Sequence, residues 1–202
     1  MKAVIVGGAP LIEEDRKALE SADEILAVNH HFVAQKVSPT IIFSNANRDS
    51  IYLIRQGLED RSVKRIILRR SIFGIKLYEY VKRHKPEIAI NWYALTFPWV
   101  KKAFTRIQER GGSPFSGVLA SYYLAATNQY SDIYIAGMNF YVKDVRDITV
   151  ARKHKRRANI KALFELFNDN PGMFRTNDYL RGIFETVSKN GELYDSYGRP
   201  VE

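Results

Sequence analysis

The 202-residue chain has no cysteine. Disulfides, thiolate nucleophiles and cysteine-based zinc or iron–sulfur sites are therefore excluded. No apolar run approaches the roughly 18–20 residues that a membrane-spanning helix needs. The opening Met1-Lys2-Ala3-Val4-Ile5-Val6 is too short for a signal peptide and runs straight into glycines, so an intracellular chain is expected. No internal repeat and no low-complexity linker is present. Acidic groups are in the minority, 22 against 31 Lys and Arg, giving a formal charge of +9. That excess suggests a polyanionic partner, such as nucleic acid, an anionic membrane surface or a phosphorylated substrate, or else a solvated basic face. The acidic metal motifs Asp-x-Asp, His-x-x-x-His and Glu-x-x-His are missing as well.

What is present argues against disorder. The chain is 46% hydrophobic, with 12 Tyr and 11 Phe. A chain of about 200 residues buries roughly 70% of its unfolded surface. Short apolar runs at 2–6, 24–29, 40–44, 65–68, 87–91 and 132–136 read as strands. Helical patterns at 12–21, 48–56, 73–84, 98–109, 116–127, 158–168 and 176–188 separate or follow them. Continuous apolar strands alternating with helices imply parallel strands covered on both faces. The expected class is a doubly wound, Rossmann-like α/β fold, a single domain over 1–190 with a mainly parallel sheet. A short basic lid is expected at about 142–157, and a polar tail at 191–202.

This class places ligands beyond the carboxyl ends of the strands. Gly7-Gly8-Ala9-Pro10 follows the first strand, where backbone N–H groups and the next helix N-terminus can meet a phosphate; a plain tight turn is the alternative. Asn29 and Asn45 end the second and third strands and suit a ribose, base edge or sugar, or simply the turn. Ser113 or Ser116 can cap the helix at 116–127, whose start with Gly117 also suits an anion. Gly137-Met138-Asn139-Phe140-Tyr141 follows the sixth strand, with a phenol in reach of a phosphate oxygen. His154 lies among Arg152, Lys153, Lys155, Arg156 and Arg157. Neighbouring cations disfavour its charged form, so it is either a neutral general base or an exposed loop histidine. His30 and His31 form a second candidate pair, where a nucleotide is expected to sit.

Three of these segments together resemble the bacterial sialyltransferases of glycosyltransferase family 42, known from lipo-oligosaccharide biosynthesis. They are Val4–Pro10 with Asn29 and Asn45 behind it, Ser116-Gly117-Val118 leading to Ile133-Tyr134-Ile135-Ala136-Gly137-Met138-Asn139-Phe140-Tyr141, and His154 six residues before Ile160-Lys161-Ala162-Leu163. The resemblance implies a GT-A-like variant of the nucleotide-binding fold, a CMP-activated sugar donor, a glycan or other hydroxyl acceptor, no metal or other cofactor, and inversion at the anomeric carbon. His154 would be the general base and Tyr141 a hydrogen-bond donor to the leaving phosphate. Gly7, Gly8, Ala9, Asn29, Asn45, Ser116, Gly117, Gly137, Asn139 and Phe140 would line the CMP-sugar pocket. Arg146, Arg152 and Lys153 would stand in for a second lid tyrosine that this chain lacks. A tetramer and a cytoplasmic location, peripheral at the inner membrane, are also implied. The chain departs from the family pattern at Gly8, where the family has Asn, and at Asn139, where it has Asp. Ser113 and Phe115 stand where the family has Arg and Thr. These departures point to a different donor sugar or acceptor. Two other readings stay open: a same-fold transferase acting on nucleic acid or another nucleotide substrate, with a pyrophosphokinase-like relative acting on a small heterocycle as a related possibility, and a non-catalytic nucleic-acid binder using the basic stretch 143–161.

Overall fold

A computed structural model describes residues 1–59, 63–109, 112–140, 155–193 and 200. Its elements run β1 (Lys2–Val6), α1 (Glu13–Glu20), β2 (Glu24–Val28), α2 (His31–Gln35), β3 (Ile41–Ser44), α3 (Arg48–Gly57), β4 (Arg65–Arg69), α4 (Ile72–His84), β5 (Ala89–Tyr93), α5 (Pro98–Gln108), α6 (Ser116–Thr127), β6 (Asp132–Ala136), α7 (Arg156–Asp169), β7 (Phe174–Thr176) and α8 (Asp178–Ser188). The seven strands form one sheet in the order β5-β4-β3-β2-β1-β6-β7, and every pairing is parallel. This is a Rossmann-like α/β fold.

The alternation along each strand explains the layering. On β1, Val4 and Val6 face one core with Phe32, Ile54, Leu77 and Val81 from α2, α3 and α4. Ala3 and Ile5 face the other, with Val100, Val118, Ile160 and Ile183 from α5, α6, α7 and α8. Helices cover both faces, so both strand faces are apolar. Each fully buried Ile or Leu contributes about 1.5–3 kcal/mol. Local signals set the helix starts. Asn47, Ser71 and Asn177 accept from the N–H groups of Ser50, Gly74 and Leu180 at 2.8, 3.1 and 2.9 Å, and Pro98 opens α5.

The chain moves outward from β1 through β2 to β5, then returns across the sheet to β6 on the other side of β1. The switch in strand order therefore falls at β1. At the carboxyl end of such a switch the two flanking connections diverge and leave a crevice.

Three local expectations are corrected. Residues 31–35 form a helix and 174–176 a strand, neither expected; both are too short to carry a periodic pattern. β5 ends at Tyr93 rather than at 91, so Tyr93 is a strand residue. Neither Ser113 nor Ser116 caps α6: the cap position is Phe115, whose N–H donates to Asn159 Oδ1 of α7 at 2.7 Å. Among the described residues, no helix is long and apolar enough to cross a membrane.

Candidate functional site

A cavity of about 660 Å³ opens at the carboxyl ends of β1, β2, β3 and β6. Gly7, Gly8, Ala9, Asn29, Asn45, Ser116, Gly117, Gly137, Asn139 and Phe140 all line it. His30, His31, Gln35, Asn47, Ser50, Phe115 and Met138 line it too. Tyr141, Arg146, Arg152, Lys153 and His154 lie outside the described residues, as do most of the basic lid at 142–157 and most of the tail at 191–202.

The wall between β1 and β6 is backbone packed on backbone. Gly7 N–H donates to the Ala136 carbonyl at 2.9 Å, and Ala9 N–H to that of Gly137 at 2.8 Å. A Cβ on Gly7 would stand 2.4 Å from the Gly137 carbonyl oxygen, so only glycine permits this approach. Gly137 itself has φ +58°, and a Cβ there would meet the Ala9 carbonyl at 2.7 Å. The expected phosphate cradle of Gly7–Pro10 amides is thus reduced to the Gly8 N–H, which has no hydrogen bond among the described residues. Two of its N–H groups already bond β6 and its following turn, and Pro10 has none. α1 starts only at Glu13, and its first turn carries Glu13, Glu14 and Asp15, which repel an anion.

Asp15 holds this wall from below. Fully buried, it accepts from Ile12 N–H at 3.2 Å, Gly137 N–H at 3.4 Å, Tyr134 Oη at 3.2 Å and Asn177 Nδ2 at 2.9 Å. One carboxylate therefore ties the loop after β1 to the turn after β6 and to the start of α8. From the other side, Gln35 Nε2 on α2 donates to the Ala9 carbonyl at 2.6 Å. The sequence reading missed both residues. Asp15 looks like any acid in a helix first turn, and Gln35 sits on a helix too short to detect.

The opposite wall is a side-chain network. Asn29 Nδ2 donates to Ser116 Oγ at 3.2 Å, and Asn45 Nδ2 donates to the same oxygen. Asn45 N–H donates to Asn29 Oδ1 at 3.2 Å, and Tyr93 Oη donates to Asn45 Oδ1. Burial pushes the Tyr93 phenol well above its ordinary pKa, so it remains a donor at neutral pH. With two bonds accepted, Ser116 Oγ still has its own proton to give, and each asparagine keeps one amide hydrogen. Asn29 (φ +53°), Ala46 (φ +52°) and Phe140 (φ +52°) all adopt left-handed backbone at the ends of β2, β3 and β6. Such conformations cost about 1–2 kcal/mol for residues other than glycine, least for asparagine, and cluster where a site dictates the backbone.

α6 carries small residues because it is buried nearly all round. A Cβ on Gly117 would stand 2.4 Å from Met138 Cε. Phe115 and Phe140 meet edge to face at 6.0 Å and close that side of the cavity.

Two imidazoles complete the lining. His30 Nδ1 bonds Ser50 Oγ at 3.3 Å, and the two rings lie 5.0 Å apart. Burial lowers the pKa of both. His30 is partly compensated by Asp49, whereas His31 falls from 6.5 to about 4, with His30 adding to the effect of burial. Both are neutral at pH 7. The described lining contains no Lys, Arg, Asp or Glu. Among the described residues, no three His, Asp or Glu side chains converge as metal ligands would.

Compared with known family models, with characterised proteins and with solved structures, the chain finds no match.

Proposed function

We propose that the chain is a glycosyltransferase that takes its sugar from a CMP-activated donor, in the manner of the sialyltransferases it resembles, and works without a divalent metal. The observation that carries this reading is the Asn29–Ser116–Asn45–Tyr93 network at the switch point of the sheet. It fixes three polar groups with unused hydrogens in one cavity, and the volume of about 660 Å³ falls within the roughly 300–1,000 Å³ of small-molecule sites. Oxygen-rich ligands such as a nucleotide phosphate or a sugar acid accept from such donors. The N-terminus of α6 at Ser116 and Gly117 adds a positive dipole end to the same wall. Independence from metal is supported by the sequence, which has no Asp-x-Asp pair to hold one.

The chemistry then runs as a single displacement. An acceptor hydroxyl oxygen attacks the anomeric carbon as the bond from that carbon to the phosphate oxygen breaks, and CMP leaves with the electron pair. His154 takes the acceptor proton, and Tyr141 donates a hydrogen bond to the departing phosphate. Arg146, Arg152 and Lys153 offer the charge that balances it. The acceptor is a glycan or another hydroxyl compound.

The test is release of CMP from CMP-sialic acid and from other CMP-sugars, followed by chromatography with chelator present. His154→Ala is expected to lower turnover by about 10²–10⁴-fold while CMP affinity holds. Equal turnover in that variant removes His154 from the reaction. Absence of release from every CMP-sugar removes the donor class.

A further inference from the structure

The glycine-rich loop raises a problem that the cavity itself answers. Gly7 and Ala9 bond their N–H groups to β6 and its turn, and Pro10 has no N–H to offer. No Lys or Arg lines the cavity among the described residues. A phosphate against this loop meets only the Gly8 N–H, the one amide of residues 7–10 with no hydrogen bond among the described residues, and a neutral side-chain donor beside it would add a second contact. One is in place. The His31 ring packs on the Cα of Gly8, in the space that a side chain at position 8 would fill. A Cβ there would stand 2.8 Å from Cε1 and 3.0 Å from each ring nitrogen. Unlike His30, whose Nδ1 is engaged by Ser50, His31 has neither nitrogen hydrogen-bonded among the described residues. His31 is half-buried and lines the cavity, so its ring nitrogens are open to a ligand there.

We propose that His31, seated on Gly8, is a further residue that binds the ligand's phosphate, donating its ring N–H to a phosphate oxygen. This rests on the nucleotide reading above and assigns the phosphate to the α2 side of the cavity. Glycine at position 8 is then required for room, not for backbone freedom. His31 is neutral before the ligand arrives because burial and the neighbouring His30 disfavour its cation. A neutral ring supplies one donor and one acceptor, and the donor is the useful half toward an oxyanion.

The test compares a nucleoside with its 5′-monophosphate on the full chain by titration calorimetry. The probes are cytidine and CMP, then the adenine, guanine and uracil pairs. His31→Phe keeps a ring in place without nitrogens, His31→Gln keeps a donor, and Gly8→Ala displaces the ring while leaving its nitrogens intact. His31→Phe and Gly8→Ala are expected to weaken the monophosphate by about tenfold and to leave the nucleoside unchanged, with His31→Gln in between. A merely structural role would weaken both members of a pair alike. That result, or an unchanged monophosphate in His31→Phe, overturns the proposal while leaving a CMP preference standing. A selective loss with a base other than cytosine preferred supports His31 and removes the CMP reading. Failure of all four monophosphates to bind the unaltered chain overturns both.

Discussion

The two walls of the cavity solve the same positioning problem with different materials. On the β1–β6 side, glycines bring main chain against main chain, and one buried carboxylate ties the pieces together. On the β2–β3–β5 side, asparagine, serine and tyrosine side chains form a network above the strand ends. The first wall has the amides of Gly7 and Ala9 satisfied internally, so its main chain mostly sets shape and leaves the Gly8 amide and the His31 ring to a ligand. The second keeps hydrogens in hand, so it meets the ligand. The general lesson is that a glycine-rich turn is not a phosphate site merely by composition; what its amides already bond decides.

The comparison can be broken at its strongest point first. Asp15→Ala leaves four donors without their shared acceptor in the interior, and a loss of about 3–5 kcal/mol in unfolding free energy is expected by urea titration. Unchanged stability would mean that the first wall does not depend on its tie. Gly7→Ala comes next. Its Cβ meets a backbone carbonyl that cannot swing away, so the turn after β6 must move, and a loss of about 2–3 kcal/mol is expected in the same measurement. Tyr93→Phe tests the second wall and has the smallest effect on stability, about 1–2 kcal/mol, since one buried bond is lost. Its larger consequence is in binding. Asn45 is no longer held by the phenol, and CMP affinity should fall by about threefold to tenfold in calorimetry. If instead Gly7→Ala weakens CMP and Tyr93→Phe does not, the assignment of shape to one wall and contact to the other is reversed.

Much of the site was legible because strands announce their ends. Asn29, Asn45, Gly7 and Gly137 each sit at the end of an apolar run or just beyond it, and a parallel sheet gathers those ends along one edge. His30 and His31 were visible as a pair but not as the cap and first residue of α2, since five residues give no helical period. Tyr93 lies just past Asn91, where the fifth strand was expected to end, so its place was legible as a strand end but its bond to Asn45 was not. Asp15 was hidden for a different reason. Beyond Ile12, three residues away, its partners come from residues 134, 137 and 177, and no local pattern signals those three long-range contacts.

By itself the sequence determined the class of fold: apolar β-branched runs of strand length, separated by amphipathic helices, can bury both faces only as a parallel sheet between helix layers. It also determined which segments end at the ligand edge, because the carboxyl end of every parallel strand points the same way. Only the tertiary structure decided what each group is free to do. The amides of Gly7 and Ala9 became structural because β6 lies beside β1, and His31 came to rest on Gly8 because the turn into α2 folds back over the glycine loop. Hydrogen-bonding capacity is a property of a residue, but its availability depends on neighbours that are distant in the chain.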